Sequence, residues 1–87
     1  MNTPDRIQTL LCDRLQPVRF ELTDDSAKHA GHAGAKVGGG HYIVTIVSQS
    51  FRGLSLLEQH RLVYDTLGEM MGREIHALAL STSAPPE

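Results

Sequence analysis

The sequence predicts one α+β domain in which a three-stranded mixed sheet carries two helices on one face. The chain has 87 residues, which is enough for one small core. Two segments repeat apolar residues at helical spacing, and three others alternate or are rich in β-branched residues. Their order is α-β-β-α-β. The final strand-helix-strand unit is a crossover, so the second and third strands are expected to be parallel.

The first two elements are predicted at the N-terminus. A helix is expected over residues 4–15, with Thr3 as N-cap and Pro4 at its first position. Its apolar residues recur at helical spacing: Ile7, Leu10, Leu11 and Leu15. Pro17 is expected to end the helix. Residues 18–23 then alternate apolar and polar side chains, which predicts a strand with one solvated face.

A long glycine-rich segment follows. Residues 25–40 contain five Gly, four Ala and two His, and few residues that could be buried. Loops of this length in compact domains are usually functional or disordered, so this one is a candidate for function. Residues 41–48 are almost continuously apolar and β-branched, which predicts a strand that is covered on both faces or lies centrally in the sheet.

The second helix is predicted over residues 55–71 and begins with a capping box formed by Ser55 and Glu58. Helical spacing puts a set of residues on one apolar side: Leu56, Leu57, His60, Val63, Tyr64, Leu67, Met70 and Met71. Gly72 is the expected C-cap. Residues 74–81 alternate as a third strand. The domain is therefore predicted over 1–81, with a flexible tail at 82–87.

Composition excludes several classes of protein. A single Cys among 87 residues cannot build a disulfide framework or a Cys-rich zinc site. No apolar run is long enough for a membrane span, and the first residues lack a secretory pattern, so a cytoplasmic protein is expected. No Ser-His-Asp or Cys-His constellation is evident, which argues against an enzyme. The net charge of -2 gives no overall attraction for nucleic acid.

Several motifs together resemble the BolA family. Asp25-Ser26-x-x-His29 is similar to the family's loop signature, and Gly40-His41-Tyr42 to its second-strand signature. Phe51-Arg52-Gly53 matches its FxG signature. Gln59-His60-Arg61-Leu62-Val63-Tyr64 resembles its RHRxVY signature, and Ile75-His76-Ala77-Leu78 its hydrophobic-His-Ala-Leu signature. The resemblance covers nearly the whole chain in order. This sequence departs from the family at Gln59, where Arg is usual, and in a lengthened Gly-rich loop.

The resemblance implies a fold similar to class II KH domains and two possible activities. BolA-like proteins pair with monothiol glutaredoxins and share a [2Fe-2S] cluster, and some are described as transcriptional regulators. In the first case the thiolates would come from the partner's active-site Cys and its bound glutathione. Two His nitrogens can replace two thiolates on one iron, so a chain rich in His and poor in Cys suits half of such a site.

The resemblance assigns the candidate ligands. His76 matches the family's C-terminal His and is the first candidate, and His29 matches the loop His. His32 is a weaker alternative to His29, since a His-x-x-His pair in a loop could also bind an adventitious metal. His60 lies in the apolar stripe, where a half-buried His donating to a backbone carbonyl is expected. His41 is either structural or near the same site.

Four residues are candidates for binding a partner or nucleic acid: Arg52, Arg61, Leu62 and Arg73. The second helix has Arg61 as its sole cation against three acidic residues, which disfavours DNA binding. No GxxG loop, which KH domains use to clamp nucleic acid, is present. Leu62 is expected either to pack on the first helix or to contact a protein.

These observations predict a small non-enzymatic adaptor that shares a [2Fe-2S] cluster with a monothiol glutaredoxin and that binds no cluster alone. A DNA-binding regulator is the alternative, and an adaptor that binds its partner without metal is a third. The sequence is also compatible with a homodimer.

Overall fold

The structure is a computed structural model that describes residues 2–25 and 40–86. Five main elements follow the predicted order: α1 (Thr3–Leu15), β1 (Arg19–Asp24), β2 (Gly40–Val47), α2 (Leu56–Leu67) and β3 (Ile75–Ser83). Short 3₁₀ turns at Gln49–Phe51 and Gly68–Met70 flank α2. The predicted α+β fold class is confirmed.

The sheet has the order β1-β2-β3. β1 and β2 are antiparallel, with Phe20 opposite Ile46, whereas β2 and β3 are parallel, with Val44 opposite Leu80. α1 packs near β1 and α2 near β3. The mixed sheet expected from the crossover is therefore confirmed, with β2 as its central strand.

The core lies between the sheet and the two helices. Alternate residues of β2 point into it, and the neighbouring Ile43 is 42% exposed on the other face. The buried apolar residues come from every described element except β1: Ile7, Leu11, Leu15, Tyr42, Val44, Ile46, Phe51, Val63, Leu67, Met70 and Ile75. Since the helices cover one face, the opposite face of the sheet is left open among the described residues.

The start of α1 and the end of α2 differ from the prediction. Asn2, rather than Thr3, caps α1, because its side-chain oxygen accepts from the Asp5 N–H at 2.9 Å. α2 ends at Leu67 instead of continuing to residue 71. Gly68 is its C-cap, with φ of 56°, a left-handed value that glycine adopts without a Cβ clash. Gly72 lies in the turn before β3.

The predicted apolar side of α2 is only partly buried. Val63 and Leu67 face the core, but Leu56 and Leu57 are each 61% exposed and Tyr64 is 37% exposed. The reason lies in the tertiary packing. The sheet and α1 cover only one side of the apolar stripe, and the rest of the stripe faces solvent.

The two outer strands also differ at their ends. Val18, predicted to begin β1, lies before the strand and is 69% exposed. β3 continues to Ser83, two residues beyond its predicted end, so the predicted tail begins inside the strand. Beyond it, Arg52 donates a hydrogen bond to the Pro85 carbonyl. In the part of the chain described, no helix has the length and apolar character needed to cross a membrane.

Candidate functional site

Two histidines meet where β2 and β3 begin. The ring centroids of His41 and His76 are 5.1 Å apart, and the rings are tilted by 42°. His76 is exposed and His41 is half-buried. Because β2 and β3 are parallel, their first residues lie at the same end of the sheet. The fold therefore brings together two imidazoles that are 35 residues apart in the chain (76 − 41).

A β-bulge sets the position of His76. Gly40 pairs with Ile75, but the next residue of β2, His41, pairs with Ala77. His76 is therefore the extra residue on β3. Ile75 before it is fully buried, which anchors the strand at this point. The bulge turns the His76 side chain out of the regular alternation at the sheet end.

Gly40 allows the close packing beneath this pair. A Cβ at position 40 would lie 2.5 Å from the Tyr42 hydroxyl oxygen and 2.6 Å from its ring carbons. Such contacts are too short for any side chain, so only glycine fits without a shift of the ring. The Gly40 N–H also donates to the Glu74 carbonyl at 2.8 Å, which ties the start of β2 to the turn before β3.

The glycine-rich segment attaches at the same place. The Asp25 N–H donates to the His41 carbonyl at 2.7 Å, just before the segment leaves β1, and the chain returns at Gly40. Both ends of the segment therefore adjoin the His41–His76 pair. His29 and His32 belong to residues 26–39, which lie outside the described part of the chain.

An open cleft of about 300 Å³ lies beside the pair, with Asp25, His41, Tyr42 and Ala77 among its lining residues. A larger depression of about 470 Å³ lies between α1 and the end of α2. Two of its charged groups, Arg6 and Glu74, form an ion pair with each other. The cleft at the sheet end is therefore distinguished by the His41 imidazole in its lining.

The donor set at the described site is small. Across residues 2–25 and 40–86, no group of three or more His, Cys, Asp or Glu side chains could hold a metal ion. The pair presents imidazoles, which suit iron, zinc and copper. Two imidazoles fit half of the coordination of a shared metal group, and further ligands would come from elsewhere.

Cys12 lies far from this pair. It is near the C-terminal end of α1, and the carbonyl of Leu15, one turn later, accepts a hydrogen bond from Ser48 at the opposite end of β2. Ser48 lies seven positions after His41, just past the end of β2, which corresponds to roughly 23 Å of extended chain. Partial burial, and then the neighbouring Asp13 carboxylate, raise the pKa of the Cys12 thiol. Cys12 is thus a protonated thiol remote from the two imidazoles.

His60 is half-buried on α2, as expected from its place in the stripe. Its Nε2 atom is buried and has no hydrogen-bond partner among residues 2–25 and 40–86, so within them the expected donation to a backbone carbonyl is not made by this nitrogen. His60 is also separate from the pair at the sheet end, because α2 reaches β3 near its far end, where the Thr82 hydroxyl donates to the Gln59 side chain.

The three candidate arginines do not form one cluster. Arg52 precedes α2 and Arg73 follows it, so the 12-residue helix, roughly 18 Å long, lies between them. The Arg73 guanidinium is 3.9 Å from the Glu69 carboxylate, and the Arg52 guanidinium donates a hydrogen bond to the Gln49 side-chain oxygen. Arg61 is exposed on α2. Leu62 is half-buried and packs against the core.

His41 is the residue whose place beside His76 the sequence did not determine. Its position at the start of a strand parallel to the His76 strand was the available signal. If the ladder from His41–Ala77 onward continued back without the bulge, His76 would lie opposite Gly40, on the other face of the sheet from His41. The missing information was therefore the irregular register at Gly40.

Comparisons with known proteins agree with the fold and with the motifs. Residues 11–87 match the family described as BolA-like protein. The chain is 39% identical to Protein BOLA1, chloroplastic, of Arabidopsis thaliana, over 99% of the chain and 56% of that protein. It is 40% identical to BolA-like protein 1 of Homo sapiens, over 93% of the chain and 57% of that protein.

A bacterial relative and a solved structure extend these matches. The DNA-binding transcriptional regulator BolA of Escherichia coli is 40% identical over 90% of the chain and 71% of that protein. The structure of BolA1 from Arabidopsis thaliana superposes with a TM-score of 0.84 at 39% identity, covering 98% of this chain and 94% of the other. The chain thus spans little more than half the length of the human and plant BolA1 proteins.

Proposed function

Because the chain belongs to the BolA-like family, we propose that it is an adaptor that shares a [2Fe-2S] cluster with a monothiol glutaredoxin. The observation that carries the proposal is the His41–His76 pair, 5.1 Å apart at an exposed end of the sheet. The chain would serve in cluster transfer or in iron and redox sensing, without catalysing a reaction, and would work in the cytoplasm.

His76 is the principal ligand in this proposal, because its side chain is exposed at the sheet end. The second ligand is His29 or, as the weaker alternative, His32. Four residues separate His29 from Asp25, a reach of at most about 14 Å for an extended chain. His41 is a third candidate, since its ring already lies beside that of His76.

The partner supplies the thiolates, from its active-site Cys and bound glutathione. Cys12 does not, because it lies at the other end of the sheet with a raised pKa. When bound, the cluster provides one-electron redox chemistry, and imidazole ligation of one iron raises its potential. The role of this chain is to hold imidazoles in place and to leave the rest of the coordination to the partner.

Anaerobic reconstitution with the monothiol glutaredoxin and glutathione tests the proposal by visible absorption and circular dichroism. The mixture should give a spectrum different from that of the glutaredoxin alone. His76→Ala should abolish the difference, and substitution of each of His29, His32 and His41 identifies the second ligand. Gln8→Ala, on the exposed surface of α1, is the control. A mixture whose spectrum equals that of the glutaredoxin alone would contradict the proposal.

DNA binding is the second candidate function. The observation that favours it is the 40% identity to a relative named as a DNA-binding transcriptional regulator. The charge distribution opposes it, because α2 carries Arg61 against Glu58 and Asp65, and Arg52 and Arg73 lie at its opposite ends. A protein that neutralises few phosphates binds DNA weakly and with a shallow salt dependence.

Gel-shift titrations at two salt concentrations distinguish the two functions. We expect weak binding that is equal on promoter and random sequences. Binding to a promoter at least about a thousandfold tighter than to random DNA would instead establish the regulator. Arg61→Ala should then weaken binding, whereas Arg14→Ala on α1 is the control for lost charge.

A further inference from the structure

The outer edge of β3 presents backbone groups that no described strand pairs with. β3 is the last strand in the sheet order, and its Ser83 carbonyl accepts from the Ser48 N–H at 3.0 Å on the β2 side. Backbone groups of successive residues in a strand point to opposite sides. The N–H and C=O groups of Leu78, Leu80 and Thr82 therefore point away from β2.

This edge lacks the features that usually prevent pairing with another chain. Edge strands are commonly protected by charged residues, by Pro or by a short length. β1, the other edge, has Arg19, Glu21 and Asp24. β3 has nine residues and contains no Asp, Glu, Lys, Arg or Pro. Its single irregularity is the bulge at its first end. The edge is therefore suited to receive a strand.

An exposed apolar flank of α2 lies along the same side of the molecule. Thr66 of α2 lines the depression that separates it from α1, so this side of α2 faces α1. Helical spacing of 100° per residue puts Leu57 and Tyr64 on the opposite side. α2 lies near β3, so this flank is beside the β3 edge, and both residues are exposed, at 61% and 37%.

We propose that the β3–α2 surface, defined as the outer edge of β3 with Leu57, Arg61 and Tyr64, binds a second copy of this chain. The two β3 strands pair antiparallel about a two-fold axis that passes through Ala79, forming a six-stranded sheet. This dimer is independent of the proposed cluster function, since it requires neither metal nor glutaredoxin.

The sequence of β3 is complementary to itself in this arrangement. A two-fold axis perpendicular to the strands makes identical strands antiparallel. Centring the pairing on Ala79 overlaps residues 76–82 of the strand. Ile75 is excluded, because its carbonyl already accepts from the Gly72 N–H at 2.8 Å and Met71 forms a β-bridge with it. Leu78 then faces Leu80 of the partner subunit on the helix side, and Ala77 faces Ser81 of the partner subunit on the open side. No like charges oppose each other.

Charges on α2 also favour a second copy. Arg61 lies three residues after Glu58 and four before Asp65, so all three occupy neighbouring positions on the exposed side. A two-fold axis reverses the direction of the second α2. Arg61 of one copy can therefore approach an acidic residue of the other, while the apolar Leu57 and Tyr64 pack between them.

The contact is small, which determines how the dimer is measured. Standard interfaces bury roughly 800 Å² per partner, more than one strand edge and one helix flank provide. We therefore expect a weak dimer that forms as the concentration rises. Sedimentation equilibrium of the full chain, at loading concentrations up to about 1 mM, the range of weak complexes, gives its dissociation constant.

Ala79→Lys is the first variant. Ala79 is exposed on the open face, so the fold accommodates the change, but the axis places the two introduced ammonium groups beside each other. Directly opposed like charges should weaken the dimer about three- to fivefold. Thr23→Lys adds the same charge on the same face of β1, at the other edge, and should leave dimerisation unchanged.

Mixing two variants tests the two-fold arrangement itself. Ala79→Glu alone should also weaken the dimer, whereas an equimolar mixture with Ala79→Lys should recover it, because opposite charges then meet at the axis. Leu57→Ser should weaken the dimer through the α2 flank, and Val18→Ser removes an equally exposed apolar side chain at the β1 edge without effect.

A chain that stays monomeric at every concentration would refute the dimer. So would a dimer that Ala79→Lys leaves unchanged, or one that the mixture does not recover. If the edge instead binds a strand of another protein, the chain alone is monomeric and Ala79→Lys lowers its affinity for the glutaredoxin in a titration; this result also overturns the proposal. Far-ultraviolet circular dichroism confirms that each variant is folded.

Discussion

Ser48 connects the end of β2 to the end of α1 through buried hydrogen bonds. Its side chain is fully buried, its hydroxyl donates to the Leu15 carbonyl, and the same oxygen accepts from the Ser50 N–H at 3.1 Å. The Leu15 carbonyl is at the C-terminal end of α1, where the last four carbonyls of a helix have no hydrogen-bond partner within the helix. A single hydroxyl therefore satisfies a helix end and a turn at once.

We predict that Ser48→Ala destabilises the fold by about 1–3 kcal/mol, because it leaves buried backbone groups without this partner. Urea unfolding followed by circular dichroism gives the free energy of unfolding. Ser81→Ala, an exposed serine on β3, is the control and should change it by less than about 0.5 kcal/mol. Equal stability of the two variants would show that Ser48 has no such role.

Single residues also mark the limit of prediction from sequence for the candidate site. His76 was identified from the family motif, whereas its distance from His41 depends on a bulge next to Gly40, which packs against the Tyr42 ring. Such a contact joins local geometry to tertiary packing, which residue spacing does not contain. Whether His29 or His32 is a ligand stays a prediction.

At the scale of elements, α2 shows which signals are local. Its capping box was predicted and is confirmed: the Ser55 hydroxyl accepts from the Glu58 N–H at 3.1 Å, and the Glu58 carboxylate accepts from the Ser55 N–H at 2.8 Å. The predicted C-terminal end of α2 was wrong. Gly68 and Gly72 both follow apolar residues and both have positive φ, so either one could have been the C-cap. A cap involves four neighbouring residues, whereas the choice between two glycines depends on where β3 must begin.

The capping box predicts a pH dependence for α2. Hydrogen bonds from the backbone and hydroxyl of Ser55 lower the pKa of Glu58 from its ordinary 4.5. Since the folded pKa is below the unfolded value, the stabilisation is fully present above about pH 4.5 and is lost as the pH falls through the folded pKa. Neutral Glu58 would bind the Ser55 N–H less strongly.

Glu58→Gln should therefore remove part of the loss of stability below pH 4.5, the ordinary pKa of this group. Thermal unfolding from pH 7 to pH 3 measures the difference between the variant and the parent chain. It should be largest at pH 7 and shrink towards pH 3. Glu69→Gln, beyond the end of α2, is the control, and a difference that is constant with pH would contradict the assignment.

At the scale of the whole molecule, two helices cover one face of a three-stranded sheet and leave the other face open among the described residues. The alternation of Tyr42, Val44 and Ile46 with exposed or half-buried neighbours records this arrangement. The sequence of β2 looked covered on both faces because its outward residues include Ile43 and Val47. Hydropathy alone does not say which apolar residues the rest of the chain covers.

Phe51 carries the last prediction, because it inserts from the turn between β2 and α2 into the middle of the core and is 1% exposed. Phe51→Ala should cost about 3–5 kcal/mol through lost contacts and a cavity. A domain of this size has a total stability of roughly 4–13 kcal/mol, so the loss from this one change equals the lower end of that range. Urea unfolding should show a much lower midpoint or no folded baseline. Phe51→Leu should retain the fold with a smaller loss of stability. Ile43→Ala, on the open face, should have little effect on the midpoint. A Phe51→Ala midpoint equal to that of Ile43→Ala would show that Phe51 does not anchor the core.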